Sequence, residues 1–131
     1  MAKTGEFTEG VLVFVWNADG GWQHAVIDSL HKVIRPKTYS CKLCQLTYGI
    51  TGPKARWTNF LETLDRPVEF YHRDEFQGTP LAKQFPGLEL PAVLTCTSEK
   101  WRIFLSRDEI LKMKDLQALL STLKKRSSTG D

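Results

Sequence analysis

The run Val11-Leu12-Val13-Phe14-Val15-Trp16 constrains the fold of this chain more than any other feature. β-Branched and aromatic side chains with no polar residue between them are typical of a strand that is buried on both faces, as central parallel strands are. A strand of this kind needs neighbouring strands and an apolar layer on each of its faces. The run therefore predicts the first strand of the chain, in the centre of a sheet.

Size and composition predict one compact domain. The chain has 131 residues, of which 41% are hydrophobic and 25% are charged, and these proportions are ordinary for a soluble globular protein. We expect a single domain over residues 9–126. Residues 1–8 are expected to form an N-terminal tail, and residues 127–131 a disordered C-terminal tail.

Charge and cysteine content narrow the classes of function. The formal net charge of +3 is mild, and the basic end Lys124-Lys125-Arg126 is typical of a solvated helix end, so we expect no nucleic-acid partner. Three cysteines are an odd number and too few for the disulfide framework of a secreted mini-protein. No export signal or membrane-spanning run is visible. The sequence therefore predicts a cytoplasmic protein without a membrane partner.

Periodicity and chain breakers predict the remaining elements. Asp19 is placed to cap the first helix, and Pro53 to open a later one. The capping box Ser106-Arg107-Asp108-Glu109 opens the last helix, whose apolar stripe continues to Leu123. After the first strand, the predicted elements are a helix over about 21–35, a short helix within 38–48, a helix over 53–64, a strand over 68–72, a short helix over 79–85, strands over 90–96 and 101–105 joined as a hairpin, and one final helix.

This order of elements resembles the thioredoxin-like fold, most closely over residues 90–123. The motif Leu90-Pro91-Ala92-Val93 matches the place where that family carries a cis-proline at the start of its third strand. The resemblance covers most of residues 10–124 and rests on topology and on Pro91. It implies an α/β protein with a thioredoxin-like three-layer fold and a mixed four-stranded sheet, in the order β-α-insert-α-β-α-β-β-α.

The resemblance also implies the neighbours of the central strand. We expect Val11–Trp16 to be flanked by Val68–Tyr71 in parallel and by Ala92–Thr95 in the antiparallel direction. A thioredoxin-like oxidoreductase carries its C-x-x-C pair directly after this strand, where the present chain has no thiol. The C-x-x-C pair of this chain, Cys41 and Cys44, lies instead in the inserted segment. The family's redox activity therefore does not transfer residue by residue.

A second likeness covers the segment that leads to the cysteines. The block Asp28-Ser29-Leu30-His31-Lys32, followed by Thr38-Tyr39-Ser40-Cys41-Lys42-Leu43-Cys44, resembles small bacterial proteins of unknown function. This likeness implies no activity.

One hypothesis for Cys41 and Cys44 is a dithiol that exchanges disulfides or senses an oxidant. Cys41 lies near a predicted helix N-terminus beside Lys42, with Arg35 and Lys37 nearby, and positive charge stabilises a thiolate. Cys44 follows one helical turn later, where a resolving thiol is needed. This hypothesis predicts a thiol-bearing protein or a small-molecule oxidant as the partner.

The alternative hypothesis is a metal site of zinc or iron, held by the two cysteines with His31 and with Asp28 or His24. His24, Asp28 and His31 are spaced i, i+4 and i+7, so they share one face of the first helix. The sequence has no second C-x-x-C or H-x-x-x-H pair to complete a typical zinc motif. In a third interpretation both cysteines pack as small apolar residues and the histidines are solvated.

Other candidate residues lie at the carboxyl edge of the predicted sheet. His72 and Arg73 follow a strand, and Asp19 and Pro91 are expected at the same edge, where open α/β folds bind their ligands. A charged surface loop would have the same composition. Cys96, alone on an apolar strand, is predicted to be a core residue. The chain has no phosphate-binding glycine motif, which disfavours a nucleotide enzyme, and the sequence assigns no enzyme class.

Overall fold

The computed structural model of the chain describes residues 9–17, 42–49 and 52–128. The first predicted helix, over about 21–35, and the predicted tail 1–8 lie outside these residues. In the described part of the chain, no helix is long and apolar enough to cross a membrane.

Within these ranges the chain forms six strands and six helices. The strands are β1 (Leu12–Val15), β2 (Tyr48–Gly49), β3 (Gly52–Pro53), β4 (Val68–Tyr71), β5 (Ala92–Thr97) and β6 (Lys100–Leu105). The helices are α1 (Lys42–Thr47), α2 (Ala55–Thr63), α3 (Arg73–Gln77), α4 (Pro80–Gln84), α5 (Arg107–Leu111) and α6 (Leu116–Ser128). The short helix predicted at Cys44 and the helices predicted from Pro53 and Thr79 are confirmed, with slightly different bounds.

Four of the strands form one mixed sheet, in the order β4-β1-β5-β6. β1 pairs with β4 in parallel and with β5 in the antiparallel direction, so Phe14 lies between Phe70 and Val93. β5 and β6 form the predicted antiparallel hairpin, while β2 and β3 form a separate two-stranded sheet. The mixed α/β class, the mixed four-stranded sheet and the central position of β1 are confirmed.

The side chains of β1 and of its two neighbours, Val11 and Trp16, pack into the core on both faces of the sheet. Successive side chains of a strand point to opposite faces, which divides this run into two sets of three. All six side chains are at most 4% exposed; they are Leu12, Phe14 and Trp16 on one face and Val11, Val13 and Val15 on the other. The run is apolar throughout because it has no face towards water.

Two buried clusters cover the faces of the sheet. Cluster A takes its helical side chains from α1, α2, α5 and α6, and cluster B takes them from α3 and α4. The buried members of cluster A are Leu12, Phe14, Trp16, Leu43, Cys44, Leu46, Trp57, Val93, Phe104, Leu105, Ile110, Met113, Leu116, Leu119, Leu120 and Leu123. Those of cluster B are Val11, Val13, Val15, Phe76, Leu81, Leu90, Ala92, Leu94 and Cys96.

The prediction of one continuous last helix is wrong, because the chain forms α5 and then α6. A second helix start explains the break, since Asp115 Oδ1 accepts the Ala118 N–H at 3.0 Å, as a capping carboxylate does. The predicted apolar stripe stays buried on both sides of the break. α6 ends at Ser128, past the predicted start of the C-terminal tail at residue 127, and residues 129–131 lie outside the described part.

α3 is a helix that the sequence patterns do not predict. Asp74 and Glu75 lie in its first turn, where acidic side chains are favoured by the helix dipole. Phe76 is 1% exposed and anchors α3 in cluster B. The charged segment after β4 is therefore a short helix that contributes to the core and not only a surface loop.

The hairpin of β5 and β6 closes through a two-residue turn. Ser98 and Glu99 have φ angles of 52° and 63°, and left-handed backbone at both central positions is typical of a type I′ turn. The Ser98 N–H donates to Glu9 Oε1 at 3.0 Å. At the other end of β5, the Leu90–Pro91 peptide bond is cis.

Arg66, between α2 and β4, connects the segment before β1 to β5. Its Nε donates to the Gly10 carbonyl oxygen at 2.7 Å, and its Nη2 donates to Thr95 Oγ1 at 3.0 Å. The guanidinium carbon lies 5.1 Å from the centre of the Phe104 ring. Thr95 is fully buried, and the Gly10 N–H donates to the Cys96 carbonyl oxygen at 2.8 Å. Arg66 therefore satisfies one polar group in the segment before β1 and one in β5.

The capping box predicted at Ser106 is confirmed and is linked to the end of α6. Ser106 Oγ accepts the Glu109 N–H at 3.2 Å, and Glu109 Oε1 accepts the Ser106 N–H at 2.9 Å. Arg126 donates to the Glu109 carboxylate and, at 2.7 Å, to the Phe104 carbonyl oxygen. The side-chain hydrogen bond from Arg126 and those from Ser106 hold the pKa of Glu109 below its ordinary value, although partial burial opposes them.

Acid is therefore expected to remove a stabilising contribution of Glu109. A carboxyl group whose pKa is lower in the folded state stabilises the fold above its unfolded-state pKa, and this is lost as the pH falls through the folded-state pKa. We expect the free-energy difference between the native protein and Glu109→Gln to be largest above about pH 5 and to shrink below it. Urea melts of both proteins measure this difference. They are recorded from pH 7 downwards at intervals of about one pH unit.

The control for this experiment is Glu62→Gln, which removes a carboxylate from an exposed position on α2. We expect it to change the free energy of unfolding little at neutral pH, as exposed substitutions generally do. A Glu109→Gln difference that stays constant with pH would contradict the role of the Arg126 contact.

Candidate functional site

Cys44 lies in α1 and is buried in cluster A. Its side chain is 2% exposed, and it is disulfide-bonded. α1 packs against α5 and α6, and Leu43 and Leu46 on either side of Cys44 are also buried. The other residue of the C-x-x-C pair, Cys41, lies outside the described residues.

Hydrogen bonds at the C-terminal end of α1 hold this helix in place. The Lys54 N–H donates to the Thr47 carbonyl oxygen at 2.8 Å, across the small sheet formed by β2 and β3. Thr47 is fully buried, and its Oγ1 donates to the Leu43 carbonyl oxygen at 2.8 Å. The buried polar groups at the end of α1 are therefore satisfied within the segment that carries Cys44.

An aromatic layer separates α1 from the edge strand β4. We define it as Phe14, Trp16, Tyr48, Trp57 and Phe70. The Trp16 ring stacks on Phe70 at 5.7 Å and meets Tyr48 edge-on at 6.0 Å. Phe14 stacks on Phe70 at 5.1 Å and meets Trp57 edge-on at 5.5 Å. Phe70 is 39% exposed, so the layer extends from the core near Cys44 to the surface.

The sequence hypotheses do not include Tyr48 or Phe70 among the site residues. One signal for Phe70 is present in the sequence, since alternation puts it on the same face of β4 as Val68. No sequence signal places Tyr48 beside Trp16, because the contact joins residues from separate elements.

Two of the residues predicted at the carboxyl edge of the sheet, His72 and Pro91, lie at that edge. Val15 pairs with Tyr71 on one side and with Ala92 on the other, and the Trp16 N–H donates to the Tyr71 carbonyl oxygen at 2.9 Å. If this pairing is continued by one residue, Trp16 lies between His72 and Pro91. Both predicted edge positions flank the aromatic layer.

The remaining edge candidates have different positions. Arg73 is the first residue of α3, directly after His72 and at the same end of β4. Asp19 lies outside the described residues.

His72 is held by Glu75 in the first turn of α3. Glu75 Oε1 accepts the His72 backbone N–H at 2.8 Å and lies 2.7 Å from His72 Nδ1. The backbone N–H bond from His72, together with the bond from its ring, holds the pKa of Glu75 below its ordinary value, although burial opposes this effect. Since an ionised carboxylate only accepts hydrogen bonds, a hydrogen bond in this contact requires a proton on Nδ1.

The other ring nitrogen of His72 is buried. The His72 side chain is 20% exposed, but its Nε2 atom is shielded from solvent and has no hydrogen-bond partner among the residues that the structure describes. With the proton on Nδ1, a neutral His72 presents a lone pair at Nε2, and a protonated His72 presents an N–H.

Cys96 is a free and fully buried cysteine on β5. Burial is the main cause that raises the pKa of its thiol, and the nearby carboxylates Glu9 and Glu99 add to it. A thiol with a raised pKa is a poor nucleophile at neutral pH because little thiolate is present. The prediction that Cys96 belongs to the core is confirmed.

The described residues provide no group of metal ligands. Nowhere in 9–17, 42–49 and 52–128 do three His, Cys, Asp or Glu side chains gather closely enough to hold a metal ion. Four members of the predicted zinc or iron site lie outside these ranges; they are His24, Asp28, His31 and Cys41. That ligand set stays a prediction.

Comparisons with known proteins give no relative from which a role could be transferred. No protein-family model, curated protein or solved structure matches the chain. Assignment of function therefore depends on the chemistry of the side chains themselves, above all the disulfide-bonded Cys44 and the ring of His72.

Proposed function

We propose that this chain is a small cytoplasmic protein with a thioredoxin-like fold, in which Cys41 and Cys44 form a redox pair. The observation that carries the proposal is the disulfide at Cys44. The chain has three cysteines, and Cys96 is free. Cys41, three residues before Cys44, is thus the one partner that the chain itself offers.

The order of the strands supports the thioredoxin-like part of the proposal. A central β1 has a parallel neighbour that follows it in the chain and an antiparallel neighbour that starts a hairpin. The hairpin is followed by helices that return to cluster A. This is the arrangement that the sequence resemblance implies, although the C-x-x-C pair is displaced from the end of the first strand.

The burial of Cys44 supports different roles for the two sulfurs in thiol–disulfide exchange. Thiol–disulfide exchange needs a thiolate to approach one sulfur along the S–S axis, so access decides which sulfur is attacked. At 2% exposure, Cys44 cannot admit the thiol of a partner. Cys41 is therefore the sulfur that meets the partner, and Cys44 is the resolving sulfur.

The chemistry of exchange then follows without a cofactor. A thiolate of the partner attacks Cys41 Sγ, a mixed disulfide forms, and the Cys41–Cys44 bond breaks with its electron pair on Cys44 Sγ. A second thiol of the partner displaces Cys41, so the partner leaves as a disulfide and the protein as a dithiol. A small-molecule oxidant restores the protein disulfide and takes up the two electrons.

The disulfide also favours the redox proposal over the metal site. Zinc and iron bind cysteine as the thiolate, and a sulfur in a disulfide is not a thiolate. Metal binding by Cys41, Cys44 and His31 would thus require prior reduction.

Thiol trapping tests the proposed redox pair. After mild oxidation, unfolding in denaturant and alkylation, we expect two of the three thiols to be protected and then recovered by reduction, with Cys96 alkylated both before and after the oxidation. Cys41→Ser and Cys44→Ser should each abolish the protected pair, whereas the matched control Cys96→Ser should keep it. Mass spectrometry of the alkylated peptides gives the state of each cysteine.

Three free thiols after oxidation would reject the redox proposal. Elemental analysis of the reduced protein, purified without a histidine tag, then decides about the alternative. About one equivalent of zinc or iron that is lost in Cys41→Ser would assign the pair to a metal site.

A further inference from the structure

We propose that the outer edge of β6 binds an extended acidic segment of a partner protein, which adds a strand to the four-stranded sheet. The inference goes beyond the proposed redox function and does not depend on it. It is drawn from the position of β6 in the sheet, from a pocket beside Ile103, and from the charges of Lys100 and Arg102.

β6 is an edge strand in the part of the chain that the structure describes. The sheet order is β4-β1-β5-β6, so β6 has a strand on one side only. An edge strand presents a row of backbone N–H and C=O groups that can pair with another chain. Residues 100–103 pair one by one with residues 94–97 of β5, and the shift in register lies beyond them, between Ile103 and Leu105. The stretch 100–103 is therefore regular enough to accept a further strand.

A pocket adjoins this edge on the face of the sheet that carries cluster B. Its volume is about 380 Å³, and it is lined by Ile103 and by residues 85–89, which lie between α4 and β5. Ile103 is 45% exposed, and Trp101, on the same face of β6, packs against cluster B. When a strand is added to a sheet edge, its backbone provides affinity and its alternate side chains enter pockets beside the edge. The pocket therefore fits an apolar side chain of the added strand.

The opposite face of β6 carries positive charge. Lys100 and Arg102 alternate with Trp101 and Ile103 along the strand, and both cations are exposed. Opposite charges that face each other across two strands stabilise the pair, whereas like charges destabilise it. Carboxylates opposite Lys100 and Arg102 would thus stabilise an added strand.

The same cations disfavour a second copy of this chain as the occupant. An antiparallel pair of β6 strands centred on Trp101 would put Lys100 opposite Arg102, and one centred on Arg102 would put the two arginines opposite each other. A pair centred on Ile103 would have to continue through the shift in register at Phe104, where a regular ladder is interrupted. The charge of this edge therefore selects a different, acidic chain.

Acidic residues near the edge limit where the carboxylates of the partner can lie. Glu89 lines the pocket, so a carboxylate there would meet a like charge. Glu9 and Glu99 lie at the turn, at the other end of β6. The expected segment therefore alternates apolar residues, on the side of the pocket, with acidic residues opposite Arg102 and Lys100.

Peptide binding to the full chain tests this inference. The probe is a fluorescent peptide with the core Leu-Glu-Val-Glu flanked by serines, and fluorescence anisotropy measures its affinity. The isomer Leu-Val-Glu-Glu has the same composition and charge but cannot place both apolar side chains on one face, so it should bind at least about tenfold more weakly. Leu-Lys-Val-Lys should lose about as much, because it sets like charges opposite each other.

Backbone methylation of the peptide distinguishes an added strand from a loose apolar contact. Successive N–H groups of a strand point to opposite sides within the sheet. N-Methylation of the residues whose N–H groups face β6 should abolish binding, and N-methylation of the other set should leave it unchanged. Amide hydrogen exchange within β6 should slow when Leu-Glu-Val-Glu is bound and stay the same with its isomer.

Variants of β6 test the same contacts from the side of the protein. In Arg102→Glu the preference should move from the glutamate peptide towards Leu-Lys-Val-Lys. Ile103→Asp should weaken binding of Leu-Glu-Val-Glu by about tenfold or more, because it puts a carboxylate beside the pocket. The control is Lys125→Ala, at an exposed position in α6, which should bind this peptide as the native protein does. Thermal melts verify that the variants fold, and the comparison of peptides on the native protein needs no variant.

Several results would overturn the inference. These are no binding of Leu-Glu-Val-Glu, equal affinity for all three peptides, or equal effects of the two sets of N-methyl groups. A dimer in sedimentation equilibrium that is lost in Ile103→Asp would assign the edge to a second copy and would also overturn it. Each of these results leaves the redox pair standing, since thiol trapping measures the cysteines separately.

Discussion

Replacement of Phe14 by alanine is expected to lower the free energy of unfolding by about 3 to 5 kcal/mol, the range typical of a buried phenylalanine. Phe14 is fully buried in the central strand. Its ring stacks on Phe70 and meets Trp57 edge-on, so the change removes both core volume and two aromatic contacts. Neighbours fixed in a sheet cannot move to fill the space, which adds a cavity cost to the lost burial.

Urea melts of the native protein and Phe14→Ala measure this loss. The control is Lys125→Ala, at an exposed position in the last turn of α6, which should change the free energy of unfolding by less than about 0.5 kcal/mol. Equal tolerance of the two substitutions would contradict a buried central strand.

Replacement of Arg66 by alanine is expected to cost about 2 to 4 kcal/mol, because it leaves buried polar groups unpaired. Thr95 Oγ1 and the Gly10 carbonyl oxygen would both lose their donor, and the Phe104 ring would lose the cation above it. Arg66→Lys should restore little of the loss, since an ammonium group cannot reproduce the planar fork that reaches both acceptors.

A double-mutant cycle isolates the buried part of this effect. Thr95→Val removes the acceptor hydroxyl with little change in shape, so Arg66→Ala should cost less in the Thr95→Val background than in the native protein. Arg56→Ala is the matched control, because Arg56 is exposed and its guanidinium donates to the side-chain oxygen of a surface glutamine, Gln117. Strictly additive losses at Arg66 and Thr95 would contradict the contact.

The sheet could be predicted from the sequence because its signals are local and strong. A run without a polar residue, such as Val11–Trp16, leaves a strand no position other than the centre of a sheet. The break before α6 was harder to predict, because an apolar stripe with helical spacing continues across Asp115. The cap at Asp115 is a valid helix start, but the stripe alone does not show that the chain uses it.

The site could be predicted only in pieces. The C-x-x-C spacing identifies Cys44, and the end of a strand identifies His72, but no local pattern reveals the aromatic layer between α1 and β4. That layer depends on Trp16, Tyr48 and Phe70, which come from separate elements. The role of Arg66 could not be predicted for the same reason, since Thr95 and Gly10, which accept its hydrogen bonds, lie 29 and 56 residues away in the chain.

The apolar character of β1 on both faces leaves its alignment open to slippage. A shift by one residue would exchange the side chains between clusters A and B, and within Val11–Trp16 it would exchange only apolar side chains. The usual hydrophobic penalty against misalignment is therefore weak, and only the difference in size between valine and the larger side chains resists it. Gly10 adds discrimination, since its φ of 78° is a left-handed conformation that glycine adopts without strain and that neither Glu9 nor Val11 can adopt at the same low cost. A left-handed glycine before the strand thus favours the native alignment.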